Sequence, residues 1–293
     1  MSRETKYQKP IEGSFDEVLS TIANMGKPIT SIAAKPFLKW VGGKRSILPE
    51  LIKRLPKEYD NYYEPFLGGG ALFFSIQREY AYLSDINFPL VITFQAVKDD
   101  VEGVIRNLKI HEENHSKKYY LEARERLAKE KNPAKIAALL IYLNKTCYNG
   151  LFRVNKAGEF NVPIGDYKKP NILNETNLRA TSLVLQTAEI EQHDFSNLRP
   201  KLNCFYYLDP PYHETYDGYS GNGFADKEHE QLAEFCKKID KAGGYFMLSN
   251  SDTPFIRKLY KGYTVEKVSA SRSVSCKSHQ RGRENELIIR NYK

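Results

Sequence analysis

No proline of this 293-residue chain precedes a cysteine, and its four cysteines, Cys147, Cys204, Cys236 and Cys276, form no Cys-x-x-Cys pair. The first absence removes the Pro-Cys nucleophile with which some base-modifying enzymes attack a ring carbon. The second leaves neither a disulfide framework nor a zinc site. Apolar residues never run for the roughly 20 positions that cross a bilayer, and the polar start lacks the continuous apolar core of a signal peptide. A soluble, intracellular protein is expected. Two phosphate-binding patterns each fail by one residue. Gly42-Gly43-Lys44 opens a helical pattern, yet Leu38 stands where a nucleotide P-loop needs its first glycine, and after Gly68-Gly69-Gly70 the third glycine of the dinucleotide fingerprint is replaced by Phe73. A pyrophosphate-bearing cofactor is disfavoured, whereas a nucleoside without phosphates still fits. His111-Glu112-Glu113-Asn114-His115 matches a zinc-protease pattern formally, but its flanks are polar and no third ligand follows; the segment reads as a solvated helix face, and no metal is expected.

What the chain has in excess is positive charge and aromatic rings. Lys and Arg outnumber Asp and Glu by 44 to 36, a net charge of +8, which favours a polyanionic partner, and there are 20 Tyr and 15 Phe. The chemistry is concentrated where strands end. Phe205 to Leu208 is an apolar strand that delivers Asp209 to the carboxyl edge of a sheet, where open α/β folds gather ligands. Pro210 and Pro211 have fixed φ and no N–H, so their carbonyls remain acceptors and Tyr212 is held in one direction. Two acceptors and a flat ring suit a planar amine. Upstream, Tyr62 to Glu64, the glycine turn and the apolar run from Ala71 read as strand, turn and helix start, and Tyr80 to Ser84 forms a second strand ending in Asp85. That is the separation at which a carboxylate meets a nucleoside's ribose. Residues 91 to about 145 are helical. Asn144 to Asn155 and Gly158 to Pro170 form a hairpin or irregular loop of amides, aromatics and cations, the side chains that read base edges and neutralise phosphates. Tyr245 to Ser251 is a buried strand, Glu286 to Ile289 a closing one, and Arg272, Lys277, Arg281 and Arg283 belong to a basic loop before it. Ser14-Phe15-Asp16-Glu17 resembles a capping box for a short leader helix ending near Gly26.

In order, Trp40-Val41-Gly42-Gly43-Lys44, Glu64-Pro65-Phe66-Leu67-Gly68-Gly69-Gly70, Tyr148-Asn149-Gly150-Leu151-Phe152-Arg153, Phe160-Asn161-Val162-Pro163 and Asp209-Pro210-Pro211-Tyr212 resemble the Dam family of DNA adenine methyltransferases, from residue 36 to about 290. The resemblance implies an α/β fold: a Rossmann-like S-adenosylmethionine-dependent methyltransferase domain over 35–90 and 174–293, interrupted at 91–173 by a mainly helical target-recognition domain carrying a β-hairpin loop, behind a leader at 1–34. It implies a cytoplasmic, DNA-associated enzyme, bacterial or phage-encoded, acting on double-stranded DNA with a flipped adenine. Carried over residue by residue, Trp40, Lys44, Glu64, Phe66, Gly68, Asp85, Asp194, Phe195 and Asp209 line the cofactor site. Asp209, Pro210 and Tyr212 receive the target base, and Tyr148, Asn149, Leu151, Arg153, Pro163 and Tyr167 contact DNA. The family's usual target is GATC. The chain departs from the family at Gly165-Asp166-Tyr167, where Gly-Arg-Tyr is usual, so either Lys168 or Lys169 supplies the lost phosphate contact or the recognised site differs. Methylation of cytosine's exocyclic amine or of RNA, and a noncatalytic DNA-binding protein on the same scaffold, stay open at this level.

Overall fold

The chain enters its sheet in the middle. In the computed structural model, which describes residues 34–214, 224–271 and 283–293, β1 (Tyr62–Glu64) is followed outward by β2 (Ala81–Asp85) and β3 (Ala188–Gln192). The chain then crosses to the other side of β1 and lays down β4 (Phe205–Leu208) and β5 (Tyr245–Ser251), with β6 (Thr264–Ser271) and β7 (Arg283–Arg290) completing the order β3-β2-β1-β4-β5-β7-β6. Strands β1 to β5 are parallel, and β7 runs antiparallel between β5 and β6. The order reverses between β1 and β4, which pair at Tyr62 with Phe205 and Tyr63 with Tyr206. A crevice at the carboxyl ends of these two strands is the ligand site that such a Rossmann-like sheet provides. The expected leader helix and the basic-loop residues Arg272, Lys277 and Arg281 lie outside the described residues, as does the side chain of Arg283.

Both faces of the central strands are covered, which is why they are apolar rather than alternating. On β4, Phe205 and Tyr207 join the core shared with the helical insertion, while Tyr206 and Leu208 join a second core beneath α8 (Asp226–Lys241) and α9 (Pro254–Leu259). Ahead of the sheet lies α1 (Leu48–Ile52), and α2 (Ala71–Ile76) follows the glycine turn. The helical pattern opened by Gly42-Gly43-Lys44 ends at Ile52.

Between β2 and β3, where one crossover helix would suffice, the chain makes five: α3 (Phe88–Asp99), α4 (Val101–Glu113), α5 (Lys117–Leu127), α6 (Pro133–Thr146) and α7 (Glu175–Leu185). Asn87, Asn132 and Asn174 cap α3, α6 and α7 through side-chain bonds to backbone N–H groups, with proline in the first turn of the first two. Helix α3 lies on β2 and β3, and α7 on β3, so both belong to the sheet's own layer; the residue 90/91 boundary falls within α3. Helix α6 is buried almost all round because α3, α4 and α5 all pack on it. The core is continuous from the sheet into this insertion.

One expectation needs correction here. His111 is not on a solvated face: it is 6% exposed, its Nδ1 pairs with the Tyr119 hydroxyl at 2.8 Å, and His115 Nδ1 pairs with the Tyr142 hydroxyl at 2.9 Å. The ring stack of His111 on Tyr142 ties α4 to α6, and burial lowers His111 to about 4, keeping it neutral. Strand β6 takes up the segment before the basic loop. As an edge strand it carries Glu266 and Lys267 and buries little besides Val268, a pattern that apolar runs do not reveal.

Candidate active site

Strand β4 ends at Leu208, and Asp209 emerges at the crevice with the two prolines behind it. Its Oδ1 lies 2.9 Å from Nζ of Lys44, an ion pair in which the lysine is only 5% exposed. The same ammonium donates to the Gly42 carbonyl and stands 4.6 Å from the centroid of the Tyr212 ring. On the far side, the Tyr212 hydroxyl donates to Oε2 of Glu286 at 2.7 Å. Glu64, at the end of β1 and 2% exposed, accepts from the Tyr62 hydroxyl at 2.8 Å. Burial pushes Asp209 up to about 6, against the pull of Lys44 and with a smaller push from Glu286, and it pushes Glu64 to about 8. At neutral pH Asp209 is therefore an ionised acceptor beside a protonated Glu64.

The loop is pinned immediately after Tyr212. The His213 backbone N–H donates to Asn250 Oδ1 at 3.0 Å, and its carbonyl accepts from Ser251 Oγ at 2.7 Å. Its ring nitrogens pair with Thr253 Oγ1 at 2.9 Å and Asp226 Oδ1 at 3.1 Å. A segment that can make no ladder bonds through its prolines is thereby fixed to the end of β5 and the start of α8.

At β1 and β2 the glycine turn is held by a carboxylate. Gly68 N–H donates to Asp85 Oδ2 at 3.1 Å and Asn87 N–H to Oδ1 at 3.0 Å. Gly68 has φ +47°, and a Cβ there would lie 2.8 Å from Cδ1 of Trp40, so only glycine lets the backbone pass under the indole. Phe66, Phe195 and Phe224 form an aromatic wall, with centroids of 5.4 Å between Phe66 and Phe195 and 5.9 Å between Phe66 and Phe224. Asp194 accepts from the Ser196 N–H at 2.8 Å. A cradle of glycine backbone, aromatic rings and the carboxylates of Asp85 and Asp194, together with the acid of Glu64, fits a cationic nucleoside better than a phosphate-bearing one.

The predicted DNA contacts come together on an irregular hairpin. Bridges join Cys147 to Ile164 and Val154 to Phe160, and Tyr148 N–H donates to the Pro163 carbonyl. Tyr148 is 46% exposed, and Pro163 and Tyr167 are also exposed, while Asn149 and Leu151 are half-buried. Arg153 donates through Nε to Asn161 Oδ1 at 2.7 Å and through Nη2 to the Asn161 carbonyl at 3.2 Å, so its guanidinium is held in place within the hairpin.

One short segment joins these parts. Lys39 is clamped by Asn144, whose Oδ1 accepts from the Lys39 N–H at 2.8 Å and whose Nδ2 donates to both the Lys39 and Gly150 carbonyls, and its ammonium lies 4.6 Å from the Tyr167 ring. Trp40 stacks on Phe152 of the hairpin at 5.5 Å and covers Gly68. Lys44 ends the segment at Asp209. Sequence reasoning placed Trp40 and Lys44 at the cofactor and Asn144 at the start of the base-reading loop. Asn144 instead lies in the last turn of α6, buried, where its side chain clamps Lys39. The same reasoning missed His213 and Glu286. It also missed the cleft lined by Lys35, Arg45 and Lys145, where burial and the charges of Lys39 and Arg45 lower Lys145 to about 8. Its other polar lining is Asn171, Asn174 and Asn177, and an anion would relieve the crowding of cations.

Residues 40–274 match the family described as D12 class N6 adenine-specific DNA methyltransferase. A type II methyltransferase of Methanocaldococcus jannaschii, M.MjaIII, is 41% identical over 286 residues, 88% of this chain and 99% of that protein. The type II methyltransferase M1.LlaDCHI of Lactococcus lactis subsp. cremoris is 36% identical, over 89% of this chain and 96% of the relative. A DNA adenine methylase of Haemophilus influenzae is 34% identical, over 87% and 92% respectively.

Proposed function

The chain belongs to the D12 class of N6 adenine-specific DNA methyltransferases, and on that premise we propose that it methylates an adenine flipped out of duplex DNA, within GATC, using S-adenosylmethionine. The observation that carries this reading is the segment from Lys39 to Lys44, which touches the hairpin, the glycine turn and Asp209 in succession. A target read by the hairpin is thus coupled through six residues to the cofactor cradle and the base pocket.

The exocyclic nitrogen of adenine is a poor nucleophile because its lone pair is delocalised into the ring. Asp209 and the Pro210 carbonyl accept its two hydrogens and localise that pair, and Tyr212 stacks on the base. The bound cofactor supplies a methyl group already activated on a sulfonium, so the protein contributes positioning and electrostatics. Trp40, Phe66, Gly68, Phe195 and the carboxylates of Asp85 and Asp194, together with the acid of Glu64, form the cofactor's side of the crevice. The ion pair of Lys44 with Asp209 supports a role for the lysine between that side and the base pocket. Residues 91–173 act as the target-recognition domain. Lys168 and Lys169, both exposed, stand beside Asp166 and can supply the phosphate contact that an acidic residue cannot. Among the described residues no helix is long and apolar enough to cross a membrane, in keeping with a cytoplasmic role at DNA.

The protein is to be incubated with S-adenosylmethionine and unmethylated duplex DNA, and the digested nucleosides quantified by mass spectrometry. N6-methyladenine confined to GATC is expected. Methylcytosine, or no product despite cofactor and DNA binding, would overturn the reading; methyladenine elsewhere would overturn only the GATC assignment.

Arg153 carries the second prediction. A guanidinium pre-oriented by Asn161 loses little freedom when it meets a guanine edge bidentately, a contact worth about 1–3 kcal/mol of discrimination. Arg153→Ala should lower the preference at one base pair by about 10- to 100-fold, measured as relative kcat/KM on duplexes altered one pair at a time. An even loss across all positions would make it a backbone contact instead.

A further inference from the structure

The base pocket contains a buried carboxylate that the reading above leaves without a task. Glu286 is 8% exposed and opens an apolar strand, with Leu287, Ile288 and Ile289 fully buried behind it. Its acceptor oxygen lies 2.7 Å from the hydroxyl of Tyr212. From these contacts we infer that Glu286 is a positioning residue for methyl transfer, one that fixes the plane of Tyr212 and sharpens the ring's attraction for positive charge. The inference rests on the proposed base pocket and adds a residue to it.

The first argument is mechanical. Tyr212 follows two prolines and belongs to no strand, whereas Glu286 stands in β7 with the ladder on both sides, opposite Ser251 of β5 and Val268 of β6. The backbone of the loop is anchored one residue later, at His213. Those anchors set where Tyr212 leaves the chain, and the bond to Glu286 adds a fixed point at the far end of the ring; because a phenolic O–H keeps to the ring plane, that bond also biases the ring's rotation. A stacking platform that tilts by a few tenths of an ångström misplaces the amine relative to the methyl group, and near-attack geometry is sensitive on that scale.

The second argument is electrostatic. A phenol that donates to a carboxylate gains electron density, so the faces of its ring become more negative and hold cations better. Lys44 already uses that property, with its ammonium 4.6 Å from the ring centroid. Burial and the charges of Asp209 and Glu286 keep the Tyr212 phenol protonated well above its usual range, so it remains a donor at every working pH. During transfer, positive charge passes from the sulfonium toward the amine beside this ring. Fixed negative potential at that place favours the transition state over the ground state.

A double-mutant cycle separates this role from a merely structural one. Single-turnover methylation at saturating cofactor and DNA is to be compared for wild type, Tyr212→Phe, Glu286→Ala, Glu286→Gln and the doubles, with cofactor and DNA dissociation constants and Tm recorded for each. Tyr212→Phe and Glu286→Ala are each expected to slow transfer by about 10-fold or more, with both dissociation constants within about twofold of wild type. The Tyr212→Phe, Glu286→Ala double should be no slower than the slower single, because each change removes the same bond. Glu286→Gln, which keeps an acceptor and drops the charge, should lie between wild type and Glu286→Ala, and its pairing with Tyr212→Phe repeats the test if the alanine variant does not fold. Losses that multiply in the double, or a Glu286→Gln and Glu286→Ala pair at the wild-type rate, would overturn the role. A wild-type enzyme that makes no N6-methyladenine would instead overturn the pocket reading itself.

Discussion

Asp209→Ala should slow methyl transfer by at least about a thousandfold while leaving duplex affinity within about twofold. The size of the loss follows from what the carboxylate does in a dry pocket, where removal of a single preorganised partner of a developing charge typically costs about 10²- to 10³-fold, and here the partner is also the charged one. Duplex affinity should survive because Tyr148, Arg153 and Tyr167 sit on the hairpin, held by Asn144, Asn161 and the bridges of residues 147–164, none of which depends on Asp209. The alanine variant also strands the buried ammonium of Lys44, whose ion pair at 2.9 Å is lost, so a drop in Tm is expected alongside. Asp209→Asn separates the two effects: it keeps the shape and one acceptor, and should lose turnover by a similar factor with a smaller fall in Tm. The same residue sets a pH limit. Burial raises its pKa to about 6, so protonation below that value removes the ionised acceptor, and the single-turnover rate should fall about tenfold per pH unit on the acid side. An alanine variant that keeps more than a tenth of wild-type turnover would remove Asp209 from the chemistry.

Much of the architecture was legible because it is written locally. Phe205-Tyr206-Tyr207-Leu208 is apolar on both sides and ends at a breaker, and the structure makes it the strand beside β1 at the switch point. The glycine turn and Asp85 were found by spacing, and the Gly68 N–H bond to Asp85 gives that spacing its physical reason: the carboxylate is close enough to hold the turn. What stayed hidden depends on contacts far apart in sequence. Glu286 lies 74 residues from the hydroxyl it accepts from, and Asn144 lies 105 residues from the segment it clamps. Neither sits in a motif of its own, since a lone polar residue at the start of an apolar strand or within an apolar helix carries no periodic signal. His111 misled for the opposite reason. Its neighbours Glu112, Glu113 and Asn114 are polar and exposed, and only the fold shows that this one position faces Tyr119 and Tyr142.

Glu64→Gln should make the protein more stable and a poorer enzyme, by an amount that depends on pH. Glu64 is fully enclosed at the end of β1, and burial raises its pKa from an ordinary 4.5 to about 8, with the Tyr62 hydrogen bond opposing the shift and the Asp209 charge adding to it. The sign follows from proton counting. Between about pH 4.5 and pH 8 the folded protein keeps a proton that the unfolded chain has released, so stability falls as pH rises through that window and levels off above it. A shift of this size corresponds to a few kcal/mol at pH 8 and very little at pH 5. Glutamine has no proton to lose, and its amide oxygen can still accept from the Tyr62 hydroxyl, so the substitution removes the pH-dependent penalty while keeping the 2.8 Å hydrogen bond. Thermal unfolding of both proteins from pH 5 to pH 9 should give curves that meet near pH 5 and diverge steadily up to pH 8, the variant lying higher. Parallel curves would show that Glu64 titrates normally in the folded state. Activity should move the other way if Glu64 lies on the cofactor's side of the crevice: with a neutral amide in its place, cofactor affinity should weaken most above pH 8, where the native carboxylate is ionised and can face the sulfonium. Such a trade between stability and activity is expected wherever a buried acid is kept for its charge.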